Sequence, residues 1–186
     1  MSLPKLELNF KPIIEGDYIT IHPFTGWSKY KEWPISKWEE LVAKIQEGSL
    51  IPVKFIQIGV STDPKITGCD HSFMNISLMD SMALIANAKL HMGGDSFSNH
   101  LTHMTNTPAV ILWGSTQVSA SGYEENVNIS LGLPCQPCFK EDERMSIHPR
   151  GCCNNPPGQT YENPQHACMS GITVDMVLEA IRTKLL

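Results

Sequence analysis

The sequence predicts an α/β domain built on a doubly wound, Rossmann-like parallel sheet. Short apolar runs of strand type, such as residues 53–58 and 108–113, alternate with segments whose apolar residues recur at helical spacing. Such alternation is typical of repeated βαβ units, in which parallel strands are covered by helices on both faces. The chain has 186 residues, which is enough for one domain with a substantial core.

The amino-terminal part contains the first predicted strand and helix. Residues 1–16 are interrupted by prolines and lack periodicity, so we expect a lead-in or linker before a domain that spans residues 17–186. A β-rich run at residues 18–21 predicts a buried strand. Ser36 and Glu39 have the Ser-x-x-Glu spacing of a capping box. The apolar residues behind them predict the first helix.

The rest of the chain continues the alternation. Ser77 with Asp80 opens a predicted helix, and Thr173 caps a closing helix. In residues 134–169 prolines, cysteines and glycines crowd together, which predicts an irregular cysteine-rich segment before the closing helix. The predicted strands are residues 18–21, 53–58, 73–76, 89–92, 108–113 and 127–130, and the central helices are residues 78–87 and 96–106.

Composition narrows the class of function. The net charge is −5 and no stripe of Lys or Arg is present, which argues against a nucleic-acid partner. No apolar run reaches the length of a membrane span. The start of the chain lacks the apolar core of a signal peptide. We therefore expect a cytoplasmic protein without a transmembrane segment.

The turn Gly93-Gly94-Asp95-Ser96 lies where a predicted strand hands over to a helix. Uncapped N–H groups at a helix N-terminus bind anions, and glycines let a ligand approach the backbone. Asp95 or Ser96 can cap the helix. The alternative is that the glycine pair forms a tight strand–helix turn and nothing more.

Two further loops are expected beside this turn, because ligands of doubly wound sheets lie at the carboxyl ends of the strands. The loop of residues 22–31 contains Lys29 and Lys31, which either direct a positive charge at a phosphate or are solvated surface lysines. Thr25 adds a hydroxyl. His100 follows Ser96 by one helical step and therefore faces the same opening.

His103 lies on the same predicted helix, and for this side chain we favour a packing role.

Together these segments resemble a known family. The motifs are ITIHPFTGWSKYKEWP, FIQIG, ALIANA, GGDSFSNHLTHMTNTPAVILWGST and PCQPC, followed by the closing helix. They resemble the glycosyltransferase family 9 heptosyltransferases, and more narrowly their C-terminal domain, the nucleotide-sugar-binding half of a GT-B enzyme. The resemblance runs from about Tyr18 to the end of the chain.

The resemblance implies roles for individual residues. Lys31 matches the lysine that contacts the donor phosphate, and Asp95 with Ser96 matches the acidic and hydroxyl positions around the donor sugar and diphosphate. His100 matches the histidine on the same helix, and Thr25 lies near the family's hydroxyl residues. The full set of donor-binding residues is Thr25, Lys29, Lys31, Asp63, Gly94, Asp95, Ser96, Phe97 and His100.

Three departures from the family pattern stand within this set. Phe97 occupies a position where the family usually has glycine. This difference alters the shape of the pocket and therefore affects which donor it binds. Only Asp63 stands near the place of the glutamate that holds the ribose. The first loop is longer than usual, so Lys29 can replace Lys31.

The resemblance also implies an activity. We expect the donor domain of an inverting glycosyltransferase for lipopolysaccharide or other surface glycans, with a nucleotide diphosphate sugar such as ADP-heptose as its ligand. No cofactor is required for sugar transfer. In the family an acceptor domain with the catalytic base precedes this one, and both halves together need about twice this length. The complete enzyme would lie at the inner face of the cytoplasmic membrane, attached peripherally.

Of the six cysteines, five lie between residues 135 and 168, while Cys69 stands alone in a loop. The Cys-x-x-Cys pair has metal-knuckle spacing, and later cysteines complete four thiolates suited to structural zinc or iron. Family members often show PCxPC here, and related autotransporter heptosyltransferases carry an iron-bound four-cysteine finger. The alternative is free thiols or disulfides. The proposed ligands are Cys135, Cys138, Cys153 and Cys168, with Cys152 as alternate and His148 and His166 as substitutes.

Two other functions stay open on the sequence. The cysteine segment can be a metal-stabilised interaction surface for which the Rossmann-like part is a scaffold. A sugar-nucleotide epimerase of the non-hydrolysing type shares the architecture and acts without a separate acceptor.

Overall fold

Six parallel strands form one sheet in the order β3-β2-β1-β4-β5-β6. The computed structural model describes residues 10–26, 28–48, 53–133, 136–138 and 167–185. This order is that of the doubly wound dinucleotide-binding fold, so the predicted fold class is confirmed. The strands are β1 (Tyr18–His22), β2 (Lys54–Gly59), β3 (His71–Met74), β4 (Leu90–Gly94), β5 (Ala109–Trp113) and β6 (Val127–Ser130).

The helices that cover the sheet begin and end within two residues of the predicted positions. A 3-10 turn at Lys29–Lys31 and two short helices were not predicted, because a segment of three or four residues is too short to show a periodic pattern. The helices are α1 (Ile35–Glu47), α2 (Leu78–Ala86), α3 (Phe97–Thr105), α4 (Val118–Ser121), α5 (Ala167–Ser170) and α6 (Val174–Leu185).

The central strands are buried on both faces. Every residue of β1, β4 and β5 is buried, as expected for parallel strands between two layers of helices. On one face α1 and α6 pack against the sheet through residues that include Trp38 and Val177. On the other face the core includes Leu84 of α2 and Leu101 of α3. The central strands are therefore covered by helices on both faces.

Two of the predicted helix caps, Ser77 and Thr173, are present. Ser77 accepts a hydrogen bond from the backbone N–H of Asp80 at the start of α2 (3.0 Å). Thr173 accepts one from the N–H of Met176 at the start of α6 (3.2 Å). Each side chain satisfies one N–H that the helix itself leaves unpaired.

The predicted capping box at the start of α1 is wrong. Pro34 occupies the N-cap position without a side-chain hydrogen bond, so Ser36 lies inside the first turn. The buried Trp33 fixes where the chain enters the helix, because its indole N–H donates to the carbonyl of Ile172 (3.0 Å). The Glu39 carboxylate instead accepts from the hydroxyl of Thr67 (2.6 Å).

Most of the predicted metal ligands lie outside the described residues, namely Cys135, Cys152, Cys153, His148 and His166. Cys168 is buried on α5, and the backbone N–H of Cys138 donates to the carbonyl of Ser115 (3.0 Å). Within the described ranges, no group of three or more His, Cys, Asp or Glu side chains is placed to hold a metal ion. The metal site therefore stays a prediction.

Residues 10–17 form no helix or strand. None of the described helices is both long and apolar enough to cross a membrane.

Replacing Thr173 with Ala should lower the free energy of unfolding by about 1 kcal/mol, because α6 loses its capping hydroxyl. Ser36→Ala is the matched control and should change stability little, since Ser36 is exposed and does not cap α1. Urea denaturation followed by circular dichroism measures both variants. A larger loss in Ser36→Ala than in Thr173→Ala would contradict the observed helix starts.

Candidate functional site

A cleft of about 450 Å³ opens at the carboxyl ends of β1, β2 and β4. This is the edge at which doubly wound folds bind ligands. Seven of the nine predicted donor-binding residues line the cleft. They are Thr25, Lys31, Asp63, Asp95, Ser96, Phe97 and His100.

An ion pair joins two walls of this cleft. The ammonium of Lys31 lies 2.8 Å from Oδ2 of Asp95, and the two side chains are 14% and 10% exposed. The hydroxyl of Ser121 donates to the other carboxylate oxygen (3.3 Å). An ammonium has three donors, and the described residues supply a side-chain acceptor for one of them. Lys31 therefore keeps N–H groups for an anion.

Ser96 occupies the N-cap position of α3, but neither it nor Asp95 caps the helix. The Ser96 hydroxyl instead contacts Nδ1 of His22 (3.1 Å) and the hydroxyl of Ser98 (3.0 Å), while the Asp95 carboxylate is held by Lys31. The side chains of Ser96 and Asp95 therefore bind partners that are distant in sequence. The first N–H groups of α3 are left without a side-chain cap at the edge of the cleft, where they can donate to an anion.

The two glycines complete strand β4 and do not form the turn. A Cβ at Gly93 would lie 2.9 Å from the carbonyl oxygen of His22, and one at Gly94 would lie 3.0 Å from that of Lys31. Side chains at these positions would push the β1 loop away from β4. The glycine pair is therefore required for close packing, and this packing brings Lys31 to Asp95.

Thr25 and Asp63 line the cleft while they also stabilise their own loops. The Thr25 hydroxyl donates to the carbonyl of Ser28 (2.7 Å). The Asp63 carboxylate accepts from the N–H of Val60 (2.8 Å). Nothing is described for the side chain of Lys29. Of the two predicted lysines, Lys31 is the one that the structure places in the cleft.

A second, apolar lobe of about 280 Å³ adjoins the cleft and shares His22, Val60 and Phe97 with it. Three large apolar side chains are exposed around this lobe: Val60 (46%), Leu78 (59%) and Phe97 (42%). Exposed apolar groups gathered around a concavity mark a binding site for an apolar or planar group. The other lining residues are Ile58, Gly59, Asn75, Ile76 and Ser81.

The two histidines of α3 have different surroundings. His100 is exposed and lies at the rim of the cleft, where its Nδ1 is 2.8 Å from the hydroxyl of Tyr123. His103 stacks on the Tyr123 ring with centroids 4.0 Å apart and pairs through Nδ1 with Glu125. The packing role predicted for His103 is confirmed.

Comparison with known proteins decides the family. The model of glycosyltransferase family 9 (heptosyltransferase) matches residues 2–148. The chain belongs to glycosyltransferase family 9. Comparison with curated proteins gave no match.

Solved structures of heptosyltransferases share the fold. TibC, an iron-containing dodecameric glycosyltransferase from enterotoxigenic E. coli, is 18% identical with a TM-score of 0.74 over 96% of this chain and 49% of TibC. E. coli ADP-heptose lps heptosyltransferase II is 18% identical with a TM-score of 0.64, over 91% of this chain and 46% of that protein. TibC has also been solved with ADP-D-β-D-heptose. The chain spans about half the length of these proteins.

In this family 9 chain, four cleft residues lie outside the predicted set: His22, Phe24, Gly26 and Val60. His22 is the one whose imidazole contacts Ser96. It is 7% exposed and packs edge-on against Phe97, with ring centroids 4.8 Å apart. Burial lowers the pKa of His22 to about 4, against an opposing effect of the Asp63 charge. His22 is therefore neutral at pH 7. The available signal was its position as the last residue of β1, which pairs with Gly93 across the sheet.

Burial of His22 predicts a dependence of stability on pH. Because the folded-state pKa of about 4 lies below the ordinary 6.5, only the unfolded chain gains a proton as pH falls between these values. The free energy of unfolding should therefore decrease from pH 6.5 to pH 4, by on the order of 3 kcal/mol for this group. Burial lowers the pKa of His91 to about 3, so His91 also decreases the free energy of unfolding as pH falls.

Urea denaturation at pH 4.5, 5.5 and 6.5 in wild type and His22→Gln checks this expectation. The variant should lose less stability across the window, because it lacks one of the two buried imidazoles. Equal slopes in the two proteins would contradict a neutral, buried His22.

Proposed function

We propose that this chain is the donor-binding half of a family 9 glycosyltransferase and that its cleft holds a nucleotide diphosphate sugar, with ADP-heptose as the favoured donor. The observation that supports the proposal is the Lys31–Asp95 pair beside the uncapped N-terminus of α3, within one cleft. A solved complex of TibC with ADP-D-β-D-heptose adds support from a structural relative.

The diphosphate would lie between Lys31 and the first turn of α3. The lysine supplies a point charge, and the helix N-terminus supplies backbone N–H groups and a partial positive charge. As the glycosidic bond breaks, negative charge grows on the leaving diphosphate, and donors already in place stabilise it. In this proposal the protein needs no metal ion for the leaving group.

The nucleobase would lie in the apolar lobe. Its planar surface matches the lining of Ile58, Ile76 and Leu78, and the ring of Phe97 stands between this lobe and the polar cleft. Phe97 would stack on the base, which places a residue that departs from the family pattern against the nucleotide. Asp63, on the shared side of the cleft, is the carboxylate nearest the expected ribose position.

The catalytic base that activates the acceptor hydroxyl would come from an acceptor-binding domain in the same enzyme. This chain covers 49% of TibC and 46% of heptosyltransferase II, which leaves the other half of each as a model for that domain. By analogy with lps heptosyltransferase II, we place the complete enzyme in surface glycan synthesis at the inner face of the cytoplasmic membrane, where it would associate peripherally.

The rival functions lack a described feature of their own. A metal-stabilised interaction module needs four ligands, and of the predicted ones Cys138 and Cys168 lie in the described part of the chain. An epimerase of the non-hydrolysing type would use the same cleft and would release products without an acceptor.

Lys31→Ala should weaken ADP binding at least about tenfold, because a hydrogen bond to a charged group is lost. The matched control is Lys89→Ala, which removes an exposed lysine paired with Asp17 (3.4 Å) just before β4, at the opposite edge of the sheet. The control should bind ADP like wild type. Isothermal titration calorimetry with ADP, UDP and GDP measures the affinity and the preference for a nucleobase. If wild type binds none of the three, the donor-domain proposal is wrong.

Phe97→Ala should weaken ADP binding by roughly fivefold or more, since stacking of a base on an aromatic ring contributes about 1–3 kcal/mol. Binding of inorganic pyrophosphate, which has no base, should not change. Met79→Ala is the matched control, because Met79 is exposed next to Leu78 but does not line the lobe. Equal losses for ADP and pyrophosphate in Phe97→Ala would contradict the placement of the base.

A further inference from the structure

The connection between β5 and β6 packs along α3 and contacts several residues of the cleft. Ser121, at the end of α4, donates through its hydroxyl to Asp95, and its carbonyl accepts from the side chain of Asn99 (2.8 Å). The side chain of Asn126 donates to that of Asn99 (3.1 Å). This connection therefore holds α3 through contacts with Asp95 and Asn99.

Tyr123 lies in the middle of this connection, between the two histidines of α3. Its ring is stacked on His103 at an interplanar angle of 6°, and it meets the His100 ring edge-on at 90°. Its hydroxyl lies 2.8 Å from Nδ1 of His100. His103 in turn pairs with Glu125. Stacking on His103 holds one face of the Tyr123 ring, and the Tyr123 hydroxyl contacts His100, which lines the cleft.

The Tyr123 hydroxyl can donate to Nδ1 of His100 when that nitrogen carries no proton. Burial raises the pKa of Tyr123, so the phenol keeps its proton. Within the described part of the chain, the Tyr123 oxygen has Nδ1 of His100 as its hydrogen-bond partner. A neutral imidazole that accepts at Nδ1 carries its proton on Nε2. Nε2 of His100 has no partner in the described ranges, and His100 lines the cleft.

We propose that Tyr123 is a positioning residue for donor binding: its hydroxyl holds His100 as the Nε2–H tautomer and fixes the ring, so that an N–H donor faces the anionic part of the ligand. The identity of that ligand rests on the function proposed above. The proposed tautomer does not, because it concerns a contact within the protein.

The direct test is long-range ¹H–¹⁵N correlation spectroscopy of the ¹⁵N-histidine-labelled protein at pH 8, with His100 assigned from the signals missing in His100→Ala. In wild type, Nδ1 of His100 should have the shift of an unprotonated, hydrogen-bonded nitrogen and Nε2 that of a protonated one. A protonated Nδ1 in wild type would overturn the proposal without affecting the proposed function.

Binding of ADP tests the functional part through a double-mutant cycle. Tyr123→Phe keeps the ring stacked on His103 and should weaken ADP binding about three- to tenfold, the effect of losing one hydrogen bond. His100→Ala should weaken binding at least as much. If Tyr123 acts through His100, adding Tyr123→Phe to His100→Ala should cause no further loss.

Tyr18→Phe is the matched control, since it also removes one phenol hydroxyl, bonded to the carbonyl of Leu84 (2.9 Å) at the start of β1. This variant should bind ADP like wild type. Additive losses in the cycle, or an affinity in Tyr123→Phe equal to that of wild type, would overturn the positioning role. Failure of wild type to bind any of ADP, UDP and GDP would overturn the proposed function, and the spectrum would still decide the tautomer.

Discussion

The ion pair between Lys31 and Asp95 is the interaction on which the geometry of the cleft depends. It joins the loop after β1 to the turn after β4, and both side chains are largely buried. Removing two charges from water is costly, so such a pair forms only where the backbone brings the groups together. Here Gly94 allows this, because its missing side chain leaves room for the carbonyl of Lys31. Close packing of the backbone and the charged contact therefore support each other.

Among the described residues that line the cleft, two carboxylates stand against one ammonium, which limits how an anion can be bound. Asp63 and Asp95 line the same space as Lys31, and the protein as a whole has a net charge of −5. Long-range attraction of an anion is therefore weak. Binding must come from donors placed at short distance, such as the ammonium of Lys31 and the first N–H groups of α3. The neutral state of His22 adds a hydrogen-bonding group without adding charge.

Helix α3 links the cleft to the connection between β5 and β6. Ser96, Phe97 and His100 face the cleft, whereas other positions of the helix contact the connection between β5 and β6. Residues three or four apart share a helix face, so one short helix can present ligand-binding side chains and be held from behind at the same time. The contact between Tyr123 and His100 is where the supporting face meets the binding face.

The fold class, the six strands, the main helices and the edge of the sheet at which the cleft lies were predictable from sequence patterns. These follow from apolar runs and helical spacing, which are local patterns, and from the rule that parallel strands end at a common edge. Two local caps, Ser77 and Thr173, were also predictable for this reason.

Only the tertiary structure decided which side chains meet. The capping box at Ser36 failed because a buried tryptophan sets the start of α1, and Ser96 turned from a predicted cap into a partner of His22. His22 lies 74 residues from Ser96, and Lys31 lies 64 residues from Asp95. Hydrogen bonds across such separations depend on the packing of the whole sheet, and no local pattern in the chain specifies them.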